Sequence, residues 1–428
     1  MDGKNVEMRI GIISDVQMNT DIQDWGERNL EKAFAMLGKM DIDLLFHVGD
    51  LANNTHLAVF DKYLAIKKKY FADKMPPEIF CTGNHEFWTT KDPLSAMKHH
   101  AAICEKLSMK ADNPYHEVIN GYDILSLADE EAPAYKKELL EKLKGELDKA
   151  VARDSKKPIF LLTHFPPAET MVGSYGSSGS RELRELLDKY PQVISFSGHT
   201  HDPLENERAI WQKEFTAITT STLSYVCSSD EGYYNSCNGI LPYAREGLQF
   251  MMMELHKDHI LIHRYHAEDE REIKKDSPWN IPLPFKKENA PYTFAGRLEK
   301  AEAPVFPEGA KLWIRPDYGF LYLVFEQPFH KDHVHSFILR IKEKEPSANG
   351  VYKNAGEYKY IAPFYRMMEN QGGHMVLKLP GEILQAEREY LFEVTAREDF
   401  GKESIPLSVT YLMPSHKYKE GKCLYPVE

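Results

Sequence analysis

Five short stretches of this chain end an apolar run in residues that bind metals. They are Asp15 and Gln17 in MRIGIISDVQ; Gly49, Asp50 and Asn53 in DLLFHVGDLANN; Gly83, Asn84, His85 and Glu86 in EIFCTGNHE; Thr163 and His164 in PIFLLTHFPP; and Gly198, His199, Thr200 and His201 in VISFSGHTH. Asp15, Gln17, Asp50, Asn84, His164, His199 and His201 form an oxygen and imidazole donor set without a thiolate. Such donors suit Mn, Fe, Zn or Mg. One carboxylate can bridge two ions, and these donors with added waters fill two five- or six-coordinate sites. Paired ions about 3.5–4 Å apart hydrolyse phosphate esters. Glycines beside the donors fit tight turns and close backbone approach. Asp15 and Gln17 stand two apart at the end of the first run, and on a strand that spacing points them to one side.

The donors are scattered from Asp15 to His201, so a fold must gather them. From residue 8 to about 205, apolar strand-like runs alternate with helical stretches. In the helix predicted over 134–153, Leu139, Leu140, Leu143, Leu147 and Val151 recur at three- and four-residue steps. Residues 31–40 and 181–190 also read as helices. The alternation predicts an α/β layered domain, in which ligands bind beyond the carboxyl ends of the strands. After His201 the stretches 215–226, 247–255 and 259–267 read as strands of a second sheet or of an extension of the first. Residues 277–292 carry four prolines and read as a linker. From about 295 to 415, short apolar runs with turn signals predict an all-β sandwich. The expected division is 1–276 for the α/β domain, 277–294 for the linker and 295–428 for the sandwich.

Composition narrows the function. The chain has 428 residues, 42% hydrophobic and 28% charged, enough for two or three globular domains. Its net charge of -12 argues against coating long nucleic acid, which rests on Lys and Arg neutralising phosphates. A small anionic substrate remains open, because a metal ion supplies local positive charge. The five cysteines include no CxxC pair, so reduced thiols are expected. The start, MDGKNVEM, is unlike a signal peptide, and no apolar run is long enough to span a membrane. A soluble cytoplasmic protein is expected, unless a signal peptide has been removed.

The ordered set D-x-Q, GD, GNHE, a His before Pro, and GHTH resembles the calcineurin-like metallophosphoesterase superfamily over residues 15–203. The resemblance implies two mixed β-sheets packed face to face and flanked by helices. It also implies a binuclear metal-dependent phosphoesterase, in which metal-bound hydroxide attacks a phosphate ester or phosphoanhydride. Residue by residue, Asp15 and His201 correspond to ligands of a first metal and Asp50 to the bridging carboxylate. Asn84, His164 and His199 correspond to ligands of a second. His85, with Asp50, carries the catalytic role: it contacts the substrate phosphate or protonates the leaving oxygen. Gln17 departs from the pattern, because most members carry a first-metal His there. A glutamine carbonyl is a harder, weaker donor. Manganese-dependent ADP-ribose and CDP-alcohol diphosphatase-like proteins are similar in this respect. That similarity favours manganese and a nucleotide-type phosphodiester or pyrophosphate. The stretch 387–404 resembles a fibronectin type III hairpin.

Other readings stay open beside these. Gln17 is either a ligand or an amide bonded to a metal-bound water. Trp88 either lines the substrate pocket or packs under its loop. Residues 171–183 are either a loop over the cleft, with Tyr175 as a substrate contact, or a connector, and Ser180 is expected to cap the helix that follows. His99, His100 and the basic run IKKKY read as solvated helix faces; His330, His333 and His335 read as a solvated loop. Competing functions are a nuclease and a non-catalytic interaction protein on the same fold. The expected partners are a small phosphorylated substrate, no membrane, and protein or oligomer contacts through the C-terminal domain.

Overall fold

The computed structural model describes residues 6–20, 25–90, 92–128, 135–228, 232–346 and 350–415. Two compact units emerge: Met1–Glu231 with Tyr243–Arg297, and Gly232–Pro242 with Leu298–Glu428. Among the described residues, no helix is long and apolar enough to cross a membrane.

The first unit opens with β1 (Val6–Ile13), α1 (Trp25–Leu37), β2 (Leu44–Val48), α2 (Ala58–Phe71), β3 (Glu78–Cys81), the one-turn α3 (Asn84–Phe87) and α4 (Pro93–Lys106). A hairpin, β4 (Tyr115–Ile119) and β5 (Tyr122–Leu127), precedes α5 (Lys137–Arg153), β6 (Ile159–Thr163), α6 (Arg181–Leu187) and β7 (Val193–Ser197). Then come β8 (Ile210–Gln212), β9 (Thr216–Thr219), β10 (Gln249–His256), β11 (His259–His266), β12 (Arg271–Ile273) and β13 (Trp279–Pro282). Of the helix expected over 134–153, residue 134 lies outside the described residues. Ser180 caps α6 by accepting the Leu183 N–H at 3.3 Å.

One sheet runs β12-β11-β10-β1-β2-β3, with β13 also on β11; the other runs β4-β5-β6-β7-β9-β8. Strands β1, β2 and β3 are mutually parallel, as are β5, β6, β7 and β9. The pleat sends Ile10, Ile12, Phe46 and Val48 from the first sheet, and Phe160, Leu162, Phe196 and Ile218 from the second, into one shared core. Phe46 lies 6.1 Å from Phe160 and 6.0 Å from Phe196, centroid to centroid. The other face of the first sheet packs against α1 and α2, and that of the second against α5 and α6. The architecture is therefore the expected α/β/β/α sandwich.

Three expectations about surface and linker residues of this first unit do not hold. The stretch expected as a linker, 277–294, contains strand β13, paired with β11, whose Trp279 and Ile281 are buried. Pro282 ends the strand at an exposed position, where a missing N–H is tolerated. Lys67 of the IKKKY run is 4% exposed and lies 2.7 Å from Glu78, because α2 turns this face onto β3. His100 is buried as well, 2.8 Å from the Thr82 hydroxyl.

His47 of β2 sits on the helix-covered face, buried between Phe80 at 4.8 Å and Tyr63 at 5.9 Å, with neither ring nitrogen hydrogen-bonded. Burial pushes its pKa down to about 4. A histidine held neutral in the fold but charged when unfolded stabilises above the unfolded pKa, near 6.5, and loses that contribution as pH falls toward the folded value. His47→Phe is therefore expected to flatten the acid limb of stability. Between pH 6.5 and 4 the wild type should lose about 3 kcal/mol more than the variant, read from urea unfolding at stepped pH. Parallel pH profiles would refute this account of His47.

The second unit is all β. Its strands are β14 (Trp313–Asp317), β15 (Phe320–Glu326), β16 (Ser336–Lys344), β17 (Tyr352–Ile361), β18 (His374–Pro380), β19 (Glu389–Arg397) and β20 (Leu407–Leu412). They form antiparallel sheets β14-β15-β18 and β17-β16-β19-β20. Buried residues alternate along β15 and β18, and Phe325 meets Phe337 of the facing sheet at 5.1 Å. Residues 232–242 join this unit although they interrupt the first: the Tyr234 N–H donates to Lys359 O at 2.6 Å, and Asn235 bonds the Ile361 backbone. His333 and His335 are not on a solvated loop. Both rings stack near Phe364, and His333 Nε2 lies 2.9 Å from Asp399.

Candidate metal centre

The donors leave the fold at the carboxyl ends of β1, β2, β3, β6 and β7. The segments after β1 and β2 stay bonded past the strand ends: the Asp15 N–H donates to Gly49 O at 3.0 Å and the Gln17 N–H to Asp50 O at 2.9 Å. The pleat does not aim Asp15 and Gln17, because β1 stops at Ile13. Both adopt φ +51° instead, and Asp50, His199 and His201 also have positive φ, at 54°, 67° and 54°. Left-handed backbone at non-glycine residues is unfavourable and gathers where function over-determines it. Glycines at two neighbouring positions permit the approach. A Cβ at Gly83 would strike the Asp50 carboxylate, and one at Gly198 would strike Ser14 and Asp15.

Asp15, Asp50 and His164, all buried, bring donor atoms within 4.8 Å of one another, a group that could hold a metal ion. Around them, His201 Nε2 lies 3.0 Å from Asp15 Oδ1, and His164 Nε2 lies 3.2 Å from Asp50 Oδ2 and 3.9 Å from Asp15 Oδ1. His199 Nδ1 lies 3.1 Å from Asn84 Oδ1, and its backbone N–H donates to the Asp15 carboxylate. His85 Nε2 faces Gln17 Nε2 at 3.3 Å and Asp50 Oδ2 at 3.7 Å. The fold thus links all seven expected donors and His85 into one chain of close neighbours.

The imidazoles are held by backbone carbonyls that sequence reasoning could not find. His164 Nδ1 sits 2.8 Å from Val48 O, and His201 Nδ1 sits 2.7 Å from Tyr225 O. An Nδ1–H donated to a carbonyl leaves the Nε2 lone pair for an ion, the usual arrangement of metal-binding histidines. Any residue type can offer that carbonyl, so no side-chain signal marks it. Ser14 is a further addition, bonding Asp15 Oδ2 and, at 3.0 Å, Val48 O. The Phe165 ring lies against His199 at 3.9 Å.

Electrostatics show that this place calls for positive charge. Burial would lower His164, but Asp50 and Asp15 outweigh it and raise the imidazole to about 10. Burial would likewise raise Asp50, but His164 and His85 hold it well below the usual carboxylate range. A proton on His164 therefore balances two buried carboxylates, as a cation would. His164 Nε2 is nonetheless buried without an aligned hydrogen bond, which fits a donor aimed at an ion. Burial, then the His164 charge, lowers His199 to about 3, keeping it neutral as a ligand must be. These residues fit divalent cations.

Glu86 fixes the loops, a role its presence in GNHE did not reveal. Fully buried, it accepts the N–H groups of Asp50 at 2.9 Å, Gly83 at 2.8 Å and Ala52 at 2.9 Å. Burial and the neighbouring Asp50 charge push its pKa up to about 8, against the pull of those donors.

Carboxylates, imidazoles and amides gathered beyond parallel strands of two facing sheets define an α/β/β/α protein with a candidate Asp/His metal centre. Residues 8–203 match the calcineurin-like phosphoesterase family, and the chain carries a domain of that family over those residues. No curated protein matches the chain. Among solved structures it is similar to a dimetal phosphatase from Danio rerio, with 12% identity over 61% of this chain and 97% of that one and a TM-score of 0.42. It is similar too to GAP50, the anchor in the inner membrane complex of Plasmodium, at 14% identity over 66% and 92% of the two chains, TM-score 0.44. The purple acid phosphatase PPD1 of yellow lupin seeds is similar at 14% identity, over 62% and 52%, TM-score 0.45.

Proposed function

We propose that the chain is a binuclear metal-dependent phosphoesterase acting on a small nucleotide-type phosphodiester or pyrophosphate. The observation that carries this reading is the convergence of Asp15, Asp50 and His164 beyond the strand ends. Asp15, Gln17 and His201 would hold one divalent cation and Asn84, His164 and His199 the other, with Asp50 shared between them. When bound, two such cations polarise a phosphoryl oxygen and lower the pKa of a water. Gln17 Nε2 lies 3.3 Å from His85 Nε2, and its amide oxygen would be the donor to the first cation. That oxygen favours manganese over zinc. His85 is held by Asn53 O at 3.1 Å from Nδ1. It steadies charge on the phosphate or gives a proton to the leaving oxygen, work typically worth ~10²–10⁴-fold.

Trp88 supports a nucleotide-type substrate. Its indole is 65% exposed and lies 4.4 Å from the His85 ring, a flat surface beside the reacting group on which a base can stack. With a net charge of -12, long nucleic acid is a poor partner. The second unit, with its fibronectin type III-like hairpin, serves protein or oligomer contacts.

A panel of ADP-ribose-like diphosphates, cyclic nucleotides, mononucleotides and phosphoproteins, assayed with Mn(II), tests the substrate class. Turnover is expected for the first two, and turnover of phosphoproteins alone would overturn the assignment. Gln17→His is expected to move the metal preference from manganese toward zinc, read as the ratio of rates with the two metals. An unchanged ratio would remove Gln17 from the cation site.

A further inference from the structure

The segment after β9 carries no motif, yet it is sewn to two of the expected first-cation ligands. The Thr222 hydroxyl donates to Asp15 O at 3.0 Å, and the Leu223 N–H reaches the same oxygen at 3.2 Å. Farther along, the Cys227 N–H donates to His201 O at 3.0 Å. Tyr225 stands between these anchors. Its carbonyl takes His201 Nδ1 at 2.7 Å, and its ring lies 4.6 Å from the His201 imidazole, tilted by 45°. The half-buried phenol is thereby fixed on the Asp15–His201 side of the centre.

A hydrogen bond links the Tyr225 hydroxyl to the Gln17 side chain. Burial raises the phenol above its ordinary pKa, and the Gln17 bond pulls the other way, the sign of an N–H donated to the phenolic oxygen. His85 meets the same end of the amide, its Nε2 lying 3.3 Å from Gln17 Nε2. His85 Nδ1 lies 3.1 Å from Asn53 O. A neutral ring that gives its Nδ1 proton to that carbonyl keeps an Nε2 lone pair with which to accept. The Gln17 NH2 group has two protons to donate, and it faces two acceptors.

An amide has two ends of nearly the same size and opposite chemistry. The oxygen can bind a cation; the NH2 group carries only donors and cannot. Packing does not tell the ends apart, so hydrogen bonds must choose between the two orientations. Gln17 is 6% exposed, which leaves little water to compete for the choice. An acceptor on the nitrogen side is the outer support that metal ligands generally need.

We propose that Tyr225 is a positioning residue for the first cation: its hydroxyl oxygen holds the Gln17 amide nitrogen and so turns the amide oxygen toward the ion. The inference rests on the cation site of the proposed function. It adds to that site a residue from a segment outside the signature stretches.

The test is Mn(II) binding to chelator-stripped protein, followed without substrate by the EPR signal of the free ion. Tyr225→Phe keeps the ring and removes the hydroxyl. One of the two ions is expected to bind about 3- to 10-fold more weakly, the worth of one hydrogen bond. Gln17→Glu presents an oxygen at either end, so adding Tyr225→Phe in that background is expected to change binding by less than about twofold. Wild-type affinity in the single variant overturns the role. So does an equal loss in both backgrounds, which is what ring packing alone would give. Should Tyr225→Phe fold poorly by circular dichroism, a wild-type crystal grown with Mn(II) decides. The Gln17 oxygen on the ion and its nitrogen on the Tyr225 hydroxyl are expected; a hydroxyl more than about 3.5 Å from Gln17 overturns the proposal. A wild type that binds manganese but hydrolyses no phosphate ester removes the phosphoesterase reading and leaves this one standing, whereas one that binds no manganese removes both.

Discussion

Asp50→Asn is expected to cut Mn(II)-dependent hydrolysis of an aryl phosphate ester by ~10³-fold or more, about 4 kcal/mol of transition-state stabilisation. The amide keeps the size of the carboxylate and so isolates its charge. Asp50 is buried, accepts the His85 N–H at 2.9 Å on Oδ1, and turns Oδ2 toward His164 at 3.2 Å. An asparagine offers one neutral oxygen, too weak a donor to hold two cations. Steady-state kinetics with circular dichroism as the fold control reads the outcome. Wild-type turnover from a folded variant would sink the bridging role.

Glu86→Ala should give the largest loss of stability at the site. It removes the acceptor of three buried N–H groups, those of Asp50, Ala52 and Gly83. An unsatisfied buried donor costs about 1–3 kcal/mol, so a loss of about 3 kcal/mol or more is expected from urea unfolding. Manganese affinity should fall with it, because the same carboxylate ties the Asp50 loop to the turn that presents Asn84 and His85. Glu86→Gln keeps one acceptor oxygen and should fall between. Stability of the alanine variant within about 1 kcal/mol of wild type would contradict this, since water or backbone movement would then be serving those donors.

An α/β layered domain was legible in the sequence because buried parallel strands read as continuous apolar runs and α5 carries a clear apolar face, whereas the two facing sheets were implied only by the resemblance carried by GD, GNHE and GHTH. The donors were legible because side-chain chemistry at strand ends survives in the letters GD, GNHE and GHTH. The manner of their convergence was not. Asp15 and Gln17 reach the centre through left-handed backbone beyond β1, which a spacing argument based on the pleat cannot anticipate. The Val48 and Tyr225 carbonyls behind His164 and His201 leave no trace in residue type. Lys67 was misread because a charged residue on a basic helix looks solvated until its partner, Glu78, arrives from a neighbouring strand. Prolines masked β13, whose pairing is set by tertiary contact with β11. The excursion of residues 232–242 into the second unit likewise depends on long-range backbone bonds, such as Tyr234 to Lys359.

As proposed, this chain holds two divalent cations at the ends of its parallel strands. The most direct test is the manganese content of chelator-stripped protein after dialysis against saturating Mn(II). The arrangement of Asp15, Gln17, Asp50, Asn84, His164, His199 and His201 predicts about two manganese ions per chain. Fewer than one per chain would contradict it and leave a phosphoesterase fold without its metal centre.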